Sequence, residues 1–76
     1  MKAIQIKYLP ATNTLGARLK AFTEAGAITE SVNYSANLNN QAFALAERYV
    51  EAKGWNVISA GFGQLPNGDY VYTLGL

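Results

Sequence analysis

The 76 residues include six Lys and Arg, five Asp and Glu, no His and no Cys, for a formal net charge of +1. A chain of this length makes one small domain, here spanning 1–76, without disulfides, thiolate or imidazole metal ligands, or any Ser–His or Cys–His nucleophile pair. No apolar run approaches the roughly 20 residues a membrane helix needs, and Gln5 and Lys7 interrupt the first apolar stretch, so a cytoplasmic protein without a membrane partner is expected.

The first strand is predicted over Ala3 to Leu9, where Ile4, Ile6 and Tyr8 alternate with Gln5 and Lys7. Pro10 to Gly16 reads as a loop. A second alternating stretch runs from Ala17 to Glu24, with Leu19 and Ala21 on one face. Arg18, Lys20 and Phe22 share the other face. Ala25-Gly26 is the expected tight turn into a third strand, Ala27 to Val32, with Ile28 and Val32 pointing inward.

A helix is predicted over Leu38 to Lys53, where Leu38, Ala42, Leu45, Ala46 and Tyr49 recur at helical spacing. Phe43 and Val50 widen the apolar stripe. Asn37 fits the N-cap, and Gly54 falls where a left-handed residue ends a helix. Two further strands follow, Asn56 to Phe62 and Tyr70 to Leu74, with Pro66-Asn67-Gly68 reversing the chain between them. The expected fold is therefore α+β, a five-stranded antiparallel sheet packed on one helix in the order β-β-β-α-β-β. One face of such a sheet is left to solvent or to a partner.

Catalysis is not expected. Five acids with no second cluster offer no convergent pair for acid–base work, and Glu47 and Glu51 read as a solvated helix face beside Arg48 and Lys53. No metal or other cofactor site is read. Gly61-Phe62-Gly63 lacks the spacing and following helix of a phosphate loop, and reads as close backbone packing.

Charge is distributed unevenly. The first 23 residues hold Lys2, Lys7, Arg18 and Lys20 and no acid, whereas the rest hold all five acids with only Arg48 and Lys53. If the first two strands pair, Lys7 joins Arg18, Lys20 and Phe22 on an outer face, with Asn13 in the adjoining loop. Cations, an aromatic ring and small polar donors on an exposed sheet are ingredients of nucleic-acid contact. A protein-binding surface is the rival expectation, because Tyr70 and Tyr72 share a face and, with Trp55, would be interface aromatics if Val71 points inward. If the tyrosines point inward instead, they are core. The acidic helix and basic strands also suit a homodimer.

Lys7-Tyr8-Leu9-Pro10-Ala11-Thr12-Asn13-Thr14, followed by Gly16, Arg18, Lys20, Ala21 and Phe22, resembles a group of small bacteriophage, prophage and mobile-element proteins, as do Gly54-Trp55 and Leu65-Pro66-Asn67-Gly68-Asp69-Tyr70-Val71. The resemblance implies an accessory protein of the bacterial cytoplasm that binds a host macromolecule, foremost a protein, including anti-defence and anti-CRISPR roles. Direct nucleic-acid binding and a structural homo-oligomer are the alternatives. A DNA mimic is not expected, since the strongly acidic surface is missing.

Overall fold

The computed structural model describes residues 2–75. Its elements are β1 (Lys2–Leu9), β2 (Arg18–Thr23), β3 (Gly26–Ser31), α1 (Leu38–Lys53), β4 (Ser59–Gln64) and β5 (Tyr70–Gly75). The strands form one antiparallel sheet in the order β3-β2-β1-β5-β4. The chain's first strand thus lies at the centre, paired with the last.

Register decides the faces. Ile4 and Ile6 sit opposite Tyr72 and Tyr70 on one side, while Ile6 and Tyr8 sit opposite Ala21 and Leu19 on the other. These residues point to α1, whose Ala42, Leu45, Ala46 and Tyr49 complete a core with Leu74. Three alanines in that core (Ala21, Ala42, Ala46) let helix and sheet approach closely. Ile28, Val32, Val57 and Trp55 pack at its margin. Tyr8 shares the inward parity but is 41% exposed, beyond the part of β1 that the helix covers.

The helix ends where its caps dictate. Asn37 Oδ1 accepts the Asn39 amide at 2.8 Å and the Asn40 amide at 3.3 Å, meeting donors the first turn cannot pair internally. Gly54 is left-handed (φ 69°), and the Gly54 and Trp55 amides return to Glu51 and Val50 carbonyls at 3.1 and 3.2 Å. Asn37→Ala is expected to lower stability by about 1 kcal/mol, measured by urea unfolding.

Tyr49 is fully buried, and its hydroxyl donates to the Gly26 carbonyl at 2.8 Å while sharing a 2.7 Å hydrogen bond with Thr23 Oγ1. Thr23 Oγ1 also takes the Ala25 amide, and Lys53 Nζ donates to the Ala25 carbonyl, both next to that turn. The β2–β3 turn is therefore fastened to the last turns of α1. It lies at Glu24-Ala25, one residue earlier than expected, because Gly26 pairs with Thr23 and opens β3 at φ 130°.

Strand β4 begins three residues later than expected. Trp55 and Val57 are drawn against the core, so Trp55 to Ile58 carry the chain from the helix end to the sheet edge. The β4–β5 reversal is a tight turn closed by Gly68 N–H to Leu65 C=O at 2.9 Å, with Gly68 at φ 95°. On this hairpin Gly61 is held to hydrogen for want of room: a Cβ there would meet Thr73 Oγ1 at 2.9 Å. Gly61→Ala should cost about 1 kcal/mol, and Thr73→Ala in the same chain should recover most of it in a double-mutant cycle.

Candidate nucleic-acid interface

The sheet face opposite α1 is uncovered. Alternation along β1 and β2 turns Gln5, Lys7 and Leu9, and Arg18, Lys20 and Phe22, away from the helix. Pairing arranges them in rows. Lys7 lies opposite Lys20, which lies opposite Thr29; Leu9 lies opposite Arg18, which lies opposite Ser31. The next row is Gln5, Phe22 and Ala27. Lys7, Arg18, Lys20 and Phe22 therefore share one patch at the middle of the sheet.

None of these cations forms a salt bridge among the described residues, although one acid, Asp69, shares their face through its bond to Gln5. Glu30 points to the helix side, where Arg48 grips both its oxygens, Nε at 2.7 Å from Oε2. That contact raises the Arg48 pKa, first through its hydrogen bond to Glu30. It is the one salt bridge among the described residues. Asp69 is occupied by Gln5, whose Nε2 donates at 2.7 Å. The two other cations of known contact also lie on the helix side, Lys2 over Trp55 and Lys53 over Tyr49.

Two features mark the patch as more than a solvated surface. Lys7 and Lys20 are directly opposed like charges, an arrangement that weakens a sheet. Arg18 Nε is covered by the protein and is the one buried side-chain nitrogen or oxygen among the described residues without a hydrogen-bond partner. Lys20 Nζ lies 5.5 Å from the centre of the Phe22 ring, placing a phosphate-binding group beside a flat apolar one. Such a patch can hold an anionic backbone and offer a ring to a base.

Asn13 is exposed in the loop joining β1 to β2, at the end of the sheet that carries Arg18. A turn holds that loop, Thr12 N–H to Leu15 C=O at 2.8 Å and Leu15 N–H to Thr12 Oγ1 at 3.1 Å. The sequence reading missed Gln5, Thr29 and Ser31 as neighbours of the cations. Gln5 was visible in the β1 alternation, but Thr29 and Ser31 join the patch only through the β2–β3 register.

The aromatic interface expected from Tyr70, Tyr72 and Trp55 is corrected. Tyr70 and Tyr72 are each 6% exposed, because their pairing with Ile6 and Ile4 commits them to the helix side while Val71 and Thr73 face outward. The Tyr70 hydroxyl is satisfied by Asn39 Oδ1. Trp55 is half-buried, tilted against Tyr49 with ring centres 5.7 Å apart.

Among the described residues no group of three acids converges to hold a metal ion, and no helix is long and apolar enough to cross a membrane. No protein-family model, curated protein or solved structure matches the chain.

Proposed function

We propose that this chain is a non-catalytic nucleic-acid-binding protein that takes a single strand across the uncovered face of its sheet. The observation that carries the reading is the row Lys7–Lys20 beside Arg18: three cations on one flat face, none in a salt bridge among the described residues. Arg18 and Lys20 hold phosphates, Lys7 extends the track, and Phe22 stacks on a base. Asn13 and Thr29 supply hydrogen bonds at the flanks. In the mobile-element setting that the resemblance implies, the protein acts on nucleic acid itself, since the aromatics that favoured a host-protein interface lie in the core or at its margin.

Three phosphate contacts on a single strand imply a slope near −2 in log K against log salt, or about a 20-fold loss of affinity between 50 and 200 mM. Fluorescence anisotropy of a labelled oligonucleotide across that range tests the proposal. A flat salt response, or no binding at the lowest salt, refutes it; binding of an acidic protein alone would reassign the patch. Lys7→Glu is expected to separate stability from binding. It removes the Lys7–Lys20 opposition but sets the new carboxylate near Asp69, so stability should stay within about 0.5 kcal/mol while oligonucleotide binding weakens in the same titration.

A further inference from the structure

The two edges of the sheet differ in kind. Edge β3 carries Thr29, Glu30 and Ser31, with Glu30 turned in to Arg48, and charges at an edge discourage further pairing. Edge β4 reads Ser-Ala-Gly-Phe-Gly-Gln. No charged residue occurs between Lys53 and Asp69, and β4 itself contains no proline. Among the described residues, four of the seven large apolar side chains that are exposed lie on or beside this edge: Ile58 and Leu65 at its ends, Phe62 in its middle, and Phe43 on the adjoining helix. Phe62 packs edge-on to Phe43 at 5.4 Å and stacks on Tyr70 at 5.6 Å, so it is held in place rather than free to fold away.

We infer that β4 pairs antiparallel with β4 of a second copy of this chain, about a two-fold axis centred on Phe62. Strand phase supports this occupant. Leu65 N–H bonds to Asp69 C=O, so by antiparallel alternation Gly61 and Gly63 direct their backbone groups to β5. Ala60, Phe62 and Gln64 direct theirs to the open edge. With the axis at Phe62, Ala60 meets Gln64 of the other copy and Phe62 meets Phe62. All outward groups of both strands are then met by about six hydrogen bonds. The neutral edge sets no like charges against each other, and the two Phe62–Phe43 pairs become contiguous on the helix side. The result is one ten-stranded sheet with both helices on one side. Both basic faces lie on the other, their patches about 30 Å apart at the usual strand spacing.

The test is mass against concentration, by sedimentation without nucleic acid, from about 1 µM to about 1 mM, where a small interface associates. The wild-type chain should pass from 8.2 kDa to twice that mass. Ala60→Lys with Gln64→Lys sets Lys against Lys across the axis and should remain monomeric, with the wild-type circular dichroism spectrum. Mixing it with the Ala60→Glu, Gln64→Glu chain should restore the dimer, which a merely disrupted fold would not do. The inference is overturned if the wild type stays at one chain mass throughout, if the Lys variant dimerises as the wild type does, or if the oppositely charged chains fail to associate. Because no oligonucleotide is present, none of these outcomes bears on the nucleic-acid reading.

Discussion

Replacing Arg18 and Lys20 together by alanine should lower oligonucleotide affinity about 100-fold at low salt, taking roughly 1.5 kcal/mol for each charge-assisted contact. The salt slope should shrink at the same time from near −2 to about −0.7, because two of three counterion-releasing contacts are gone. Urea unfolding should change little, since both side chains leave the core untouched on the open face. A drop in affinity with an unchanged slope would mean that these residues act through shape and not through phosphates. Arg18→Lys offers a finer comparison: charge is kept, but the guanidinium fork whose Nε lacks a partner is lost, so affinity should fall while the slope holds.

The second large effect concerns the platform. Leu45 is 1% exposed in the centre of the helix–sheet core, and Leu45→Ala should cost about 3 kcal/mol through lost burial and the cavity left behind. A chain of this size has roughly 4–11 kcal/mol of total stability, so the variant should lose about 2–3 M in its urea midpoint at a typical slope for a small domain. By contrast Glu47→Ala, on the exposed side of the same helix, should stay within about 0.5 kcal/mol of the wild type. Equal effects at the two positions would contradict the placement of α1 on the sheet.

Where local chemistry decides structure, the sequence was readable to the residue. The helix runs from Leu38 to Lys53 between Asn37 and Gly54 because an Asx side chain ends one set of unpaired amides and a glycine alone takes the left-handed turn cheaply. The grouping of Arg18, Lys20 and Phe22 was equally legible, since a strand's period of two leaves no other arrangement. Which face a strand turns inward was legible only where its two faces differ in polarity. In β1 they do. In β5 both Tyr70-Tyr72 and Val71 are apolar enough to bury, so the choice rests on pairing with Ile6 and Ile4, a long-range fact. The start of β4 failed for another reason: Trp55 and Val57 have strand-like composition but serve to close the core's side. The patch was thus half visible, its β2 half in local spacing, its Lys7 and Thr29 members only through register.

On the proposed reading, the uncovered face, and not the helix or the β4 edge, holds nucleic acid. Amide chemical shifts followed through an oligonucleotide titration test this most directly. The largest changes are expected at Lys7, Arg18, Lys20, Phe22 and Thr29, weaker ones at Asn13 and Gln5, and none at Glu47 or Glu51. Shifts concentrated on the helix or along Ser59–Gln64, or none at all at low salt, would contradict it.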